Sequence, residues 1–380
     1  MRRPTTAAFA ALALCAMAPA AAFADTAGAS GASGASGAAA TAPLVVASAQ
    51  VPAPATASSA PALALPSLPA LPPTTLDKRA AATPHDAAAL GGYDVLIADR
   101  GNERLLLVSP QKQILWEYHF HGVPGGQGAD DAFFADNGKT IITNLEHGQV
   151  IEKIDIASGK PVWSYGDLGH QGWRHGQLDY PDDAYQLPNG NIITADIRNC
   201  RIIEITPDKH IIRQAGRTRD CSGGPGTLAS PNGDRPLPDG HVLVSEIQGH
   251  KLMELNAAWK PVVQFTLPIS YPSDPQPTID GHIIVAGYTR PGRIIEVDRQ
   301  GHVLWDYHPR QGGGLDRPSL AEELPNGNVI ATDDLNQRIV VIDKKTDRIL
   351  WQYGVKGVRG SKPGYLHIPD GLDIIPEVTQ

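Results

Sequence analysis

Short apolar runs separated by turn residues fill the chain from Tyr93 onward. YDVLIAD (Tyr93 to Asp99) is followed by RLLLV (Arg104 to Val108). The same pairing returns as NIITAD and RIIEI, HVLVSE and KLMEL, HIIVAG and RIIEV, and NVIATD and RIVVI. Runs this short, rich in β-branched residues and bounded by Asn, Asp, Gly and Pro, predict strands. The repeated frame is a strand, a D-x-x-N-x-R loop, a strand, a tight turn, and a strand ending in W-x-Y.

Three columns run through the repeat. Arg104, Gln149, Arg201, Lys251, Arg293 and Arg338 follow the first loop. Five residues earlier stand Asp99, Asn144, Asp196, Glu246, Tyr288 and Asp333. Trp116, Trp163, Arg213, Val263, Trp305 and Trp351 come later in each unit, and members of the first column lie 42 to 52 residues apart. That spacing matches one four-stranded blade. Hairpin turns precede five units: Asn137-Gly138, Asn189-Gly190, Asp239-Gly240, Asp280-Gly281 and Asn326-Gly327. These pairs tolerate the positive φ angles of a tight hairpin. The first unit lacks its leading strand, and LHIPDGLDIIPE (Leu366 to Glu377) supplies a match to LDYPDDAYQLPN at the far end. The pattern predicts an all-β, six-bladed β-propeller of four-stranded antiparallel blades, its ring closed when the C-terminal strand completes the N-terminal blade, one strand plus three. A β-sandwich, the alternative, gives no reason for six like units or for the returning strand.

With strands named a to d from the axis outward, the a–b and c–d turns share one rim. The b–c loops and the d–a links share the other, which carries everything long and varied, so a site is expected there. Just after the start of strand a stand Asp130, Asp182, Asn232, Ser273, Ser319 and Asp370, with Asp131, Asp183 and Asp274 beside three of them. Six oxygen-bearing residues at the innermost strand suit a polar ligand or a hard cation such as Ca²⁺, with Asp130, Asp182 and Asp370 as metal candidates. The competing reading is local, since Asp, Asn and Ser bond their own backbone where a loop enters a strand. The loops add Trp173, His175, Arg198, Arg290, Arg317 and His367 as ligand-binding candidates, besides His147 and His250. Converging aromatic, His and Arg groups suit a small anionic or sugar-like ligand. The recurring D-x-x-N-x-R loop reads as scaffold, and the W-x-Y column as packing between blades.

The N-terminal quarter differs. Arg2, Arg3, an apolar run from Ala7 to Met17 and Ala22-Phe23-Ala24 make residues 1–24 a secretory signal peptide, cut after Ala24. Cys15 invites a lipoprotein reading, which Leu14 opposes. Residues 25–88, almost only Ala, Ser, Gly, Pro and Thr, read as a disordered linker, and residues 89–380 as the propeller domain. The protein is therefore expected to be periplasmic or secreted, with no transmembrane segment in the mature chain. The whole chain has 32 basic and 40 acidic residues, and loss of Arg2 and Arg3 makes the balance 30 against 40. Nothing in it concentrates positive charge, which argues against nucleic acid as a partner. Cys200 and Cys221 remain after cleavage and are expected to pair, two buried thiols being the alternative.

The segment DIASGKPVWSYG (Asp155 to Gly166) resembles the Asp-x-x-Thr-Gly-x-x-x-Trp docking pattern of the propeller repeats named after pyrroloquinoline quinone (PQQ) enzymes. LPNGNIITADIRNCRIIEI and LPNGNVIATDDLNQRIVVI are similar to arylsulfotransferase-like and NHL-like propellers. The likeness covers residues 92–377. It implies a blade architecture and, for a quinoprotein, PQQ as cofactor. Quinone dehydrogenases of this repeat type, however, generally have eight blades, and many have two adjacent cysteines, which this chain lacks. Bacterial arylsulfotransferases use six blades and a covalent histidine. In the like segments here Asp130 or Asp182 stands where that histidine would be, leaving His367 as the candidate nucleophile. The leading expectation is a propeller that binds a small polar or anionic ligand, or a protein partner, on its b–c/d–a rim. The alternative is an arylsulfotransferase-like enzyme using His367, with Arg198, Arg290 or Arg317 stabilising the anion. A PQQ-type quinoprotein is a third reading.

Overall fold

The computed structural model describes residues 65–68, 70–309 and 314–377. All of these residues fall within one compact unit. The expected signal peptide and the N-terminal part of the expected linker lie outside the described residues. Within this unit the strands form six four-stranded antiparallel sheets, the six blades of a β-propeller. In blade 1, Pro369–Pro376 pairs antiparallel with Tyr93–Asp99, which pairs in turn with Arg104–Val108 and then Ile114–His119. The ring thus closes by one strand plus three. The inner strands of blades 2 to 6 are Ala132–Ala135, Pro181–Gln186, Pro231–Pro236, Pro272–Pro277 and Ala321–Glu323.

Middle strands such as Arg104–Val108 and Ile192–Asp196 are buried at every position. Each blade packs on both faces against its neighbours, which explains why these runs are continuously apolar and do not alternate. Outermost strands such as Pro261–Thr266 and Ile211–Gly216 stay largely exposed, whereas Arg348–Gly354 of blade 6 is mostly buried.

The D-x-x-N-x-R loop is scaffold chemistry. Arg104 Nε donates to Asp99 Oδ2 at 2.7 Å, Arg201 to Asp196 at 2.7 Å, and Arg338 to Asp333 at 2.7 Å. The Asn of each loop also donates to its Asp. The other Asp oxygen accepts an amide from the incoming link: His367 N to Asp99, Asp179 N to Asp196, and Asp316 N to Asp333. One buried carboxylate therefore ties loop, strand c and link together.

The Trp column joins blades. Each indole Nε1 reaches the next blade's c–d turn: Trp116 donates to the Ile156 carbonyl, Trp163 to Pro207, Trp305 to Asp347 Oδ1, and Trp351 to Pro110. In blade 3 Arg213 takes over, donating to the Ala257 carbonyl at 3.0 Å and stacking over Trp259. Cys200 and Cys221 form a disulfide.

The expected linker needs correction at its C-terminal end. Leu65 and Leu68 pack on blade 1, Lys78–Ala81 forms one helical turn capped by Asp77, and Pro84 accepts the Gln352 amide. Lys112 Nζ donates to Thr83 Oγ1 at 2.7 Å and to the Pro84 carbonyl at 2.9 Å. The scattered Leu, Asp and Thr residues find partners across the seam of blades 1 and 6, which composition could not reveal. Among the described residues no helix is long and apolar enough to cross a membrane.

Candidate functional site

The six-residue column meets at the mouth of the central channel. Asp130, Asp182, Asn232, Ser273, Ser319 and Asp370 all line a cavity of 170 Å³, with Arg100, Glu146, Tyr271 and Tyr288. Every blade contributes one residue, because strand a of each blade enters the channel at the same height. The ring is divided. Three successive blades supply Asp370, Asp130 and Asp182; the other three supply Asn232, Ser273 and Ser319.

On the acidic half, Arg100 is almost buried and pairs with Asp130, with Asp370 at 2.5 Å and with Glu146 at 2.5 Å. Burial opposes ionisation of Asp370, but Arg100 and hydrogen bonds outweigh it and hold the carboxyl below its ordinary value. Burial raises Asp130 well above that value, against the pull of Arg100. On the neutral half, Tyr271 Oη donates to Asn232 Oδ1 at 3.2 Å, Asn232 Nδ2 donates to Ser273 Oγ at 3.2 Å, and Ser273 and Ser319 hydroxyls lie 3.3 Å apart. Tyr271 and Tyr288 rings stand 5.3 Å apart over this half. Burial, then the carboxylates, push both phenols far up, so they remain donors.

One residue deeper lies a second tier: Asp131, Asp183, Gly233, Asp274, Leu320 and Gly371. Asp131, Asp183 and Asp274 are buried and can bring carboxylate oxygens within 4.8 Å of one another. Burial comes first in raising all three well above the ordinary range, and a neighbouring carboxylate second: Asp183 for Asp131 and Asp274, Asp182 for Asp183.

The loop candidates do not join this ring. Trp173 is exposed on the outer side, with Arg219 stacked on its ring at 4.3 Å. His175 contacts Tyr165 and His210 there. Arg198 lies 3.2 Å over the Tyr180 ring, whose hydroxyl meets His147 Nδ1 at 3.3 Å, one layer outside Glu146. Arg290 and Arg317 both reach Asp316. His367 uses Nδ1 on the Gly101 carbonyl at 2.9 Å. Sequence reasoning missed Arg100, Glu146, Tyr271 and Tyr288. Arg100 was findable, since it directly follows the Asp99 column and is the one arginine there.

The other rim also holds a cavity, one that the short turns there did not foretell. It measures 590 Å³ and is lined by Phe133, Tyr185, Arg213, Arg235, Trp259 and Asp373 among others. It opens beside the seam of blades 3 and 4, where Arg213 replaces the column tryptophan.

The sequence pattern of the PQQ-like repeat family described as outer membrane protein assembly factor BamB matches residues 169–365. The chain belongs to this family. No curated protein matches the PQQ-like propeller at a significant level. Its structure is similar to a protein of unknown function from Bacteroides caccae, at 14% identity and a TM-score of 0.56, covering 75% of this chain and 99% of that one. A chain of the nidogen/laminin complex is similar at 14% identity and a TM-score of 0.54, with the same coverage. At this identity the likeness is one of fold. The mouth does not suit the family's namesake cofactor. A PQQ molecule carries carboxylates of its own, and it would meet Asp130, Asp182, Asp370 and Glu146 with Arg100 already paired.

Proposed function

We propose that this PQQ-like propeller is an extracytoplasmic binding protein that takes a small polar ligand at its channel mouth, on the b–c/d–a rim, without altering it. The observation that carries this is the convergence of one oxygen-bearing side chain from every blade on one cavity, acidic on one side and hydroxylic on the other. The acidic half suits an amine or another cationic group, and the chain's own Arg100 already occupies part of it in that way. The Asn, Ser and Tyr half suits hydroxyl or carbonyl groups. Four carboxylates against one guanidinium select against an anion. The disulfide and the N-terminal signal pattern support a compartment outside the cytoplasm. The arylsulfotransferase reading needs a histidine and at least two arginines at the axis. The lining of the mouth has Arg100 and no histidine, and the Nδ1 of His367 is engaged by Gly101.

The test is thermal-shift screening of the mature protein against amines, amino sugars, neutral polyols and small anions, followed by titration of any hit. Amines or amino sugars should raise the melting temperature, and Asp182→Asn or Tyr271→Phe should weaken binding at least about tenfold, the scale of one lost charged or buried hydrogen bond. Hits confined to anions, or affinities indifferent to both variants, would defeat the proposal. A hit that ignores Asp182→Asn but weakens in Trp259→Ala would place the ligand in the larger aromatic cavity of the opposite rim.

A further inference from the structure

We infer that the second tier of the channel, Asp131, Asp183 and Asp274, is an internal Ca²⁺ site separate from the ligand mouth above it. Their exposures are 2%, 0% and 1%. Each has a buried oxygen that no hydrogen-bond donor reaches: Asp131 Oδ1, Asp183 Oδ1 and Asp274 Oδ2. Buried carboxylates left in this state are costly, because burial strips away solvation that no partner replaces.

Among the described residues no basic side chain forms an ion pair with the trio; Arg235 pulls on Asp183, and Arg100 on Asp131, only from a distance. Arg100 is committed to Asp130, Asp370 and Glu146 in the tier above. Arg235, in the tier below, lies over the Tyr185 ring and serves Glu322 and Asp373. The donors that do reach the trio are neutral and few. The Asp234 amide approaches Asp183 Oδ2 at 3.4 Å, with a hydrogen bond from Tyr185 beside it, and Asn232 Nδ2 and Ser273 Oγ approach Asp274 Oδ1 at 3.4 and 3.5 Å. Asp130 and Asp182 bring further oxygen close, since Asp130, Asp131 and Asp182 form a second set with oxygens within 4.8 Å.

The neighbouring positions of the tier make room for this arrangement. A Cβ at Gly371 would overlap Asp131 Oδ1, and one at Gly233 would press on Asp274 and come 3.3 Å from Asp183 Oδ2. Two blades thus omit a side chain where three others direct carboxylates. Oxygens up to 4.8 Å apart can face one another across an ion whose bonds are about 2.3–2.6 Å, the range of Ca²⁺; Mg²⁺, at about 2.0–2.1 Å, requires a tighter cage. All-oxygen, anionic donors exclude the softer metals by preference.

The experiment uses the mature protein stripped with chelator and titrated with Ca²⁺ alone. One Ca²⁺ per chain is expected, with a melting temperature raised by about 5 °C at a hundredfold excess over Kd. Asp183→Asn and Asp274→Asn should each weaken uptake at least tenfold and abolish the thermal gain. Ser319→Ala, in the mouth, should leave both unchanged, so failure of the ligand reading and failure of this one are distinguishable. Should an Asp variant fail to fold, Tb³⁺ replaces it as probe: emission sensitised by the adjacent Tyr185 and quenched by added Ca²⁺ supports the site. No stoichiometric uptake by the unaltered protein, uptake retained in both variants, or absence of Ca²⁺-displaceable Tb³⁺ emission would overturn it.

Discussion

At the scale of single residues, this propeller uses carboxylates in four ways, and their partners decide which. Asp99, Asp196 and Asp333 are buried but bonded to an arginine, an asparagine and an amide, and they hold loops. Asp370 is ionised by Arg100. The lower-tier aspartates have no arginine paired to them. Glu322 is a fourth case, on the channel wall near the opposite rim. Burial, then the Asp373 charge, raise it to about 7, with Arg235 pulling the other way. The folded form therefore binds the proton that the unfolded form has lost between about pH 4.5 and 7, and this group's contribution to stability falls as pH rises through that window. Glu322→Gln should flatten that decline, seen as a smaller difference between urea midpoints at pH 5 and pH 7. An undiminished difference would refute the assignment.

At the scale of elements, stability rests on how each blade grips the next. Trp351 is fully buried and its indole donates to the Pro110 carbonyl at 2.9 Å, bridging blade 6 to blade 1. Trp305 makes the equivalent bond to an exposed Asp347 oxygen. Trp351→Phe should cost about 2–3 kcal/mol, from a buried carbonyl left unpaired and a small cavity, whereas Trp305→Phe should cost under about 1 kcal/mol because water replaces the partner. Equal urea-unfolding losses in the two variants would show that the bond is incidental to the packing. The column was legible in the sequence as spacing. Its bonding was not, since the acceptors lie 40 to 44 residues ahead, or 241 residues back for Trp351, and three of the four are backbone carbonyls that carry no residue signal.

At the scale of the whole molecule, the C-terminal strand makes a row of blades into a ring. Its six register pairs with Tyr93–Asp99 join residues more than 250 positions apart. Ending the chain after Ile368 would leave Tyr93–Asp99 as an open edge beside an incomplete channel wall. Such a chain should lose cooperative thermal unfolding and associate on size exclusion. A monomer with a near-normal melt would contradict the closure. The ring also carries the function proposed here, because it alone brings Asp370 next to Asp130 and Arg100.

Blade number, strand order and the closing strand were all readable from the order of residues, because each blade repeats the same local turn chemistry and apolar pattern. The six mouth residues were readable for the same reason: one register repeated six times must meet at one height on the axis. What folding alone settled was which carboxylates acquire a counter-charge. Arg100 reaches Asp370 across 270 residues and turns the upper tier into a paired network, while the carboxylates one step deeper form no ion pair. Spacing along a chain fixes height in a wheel, but the distance between charges on opposite blades exists only once the wheel has closed.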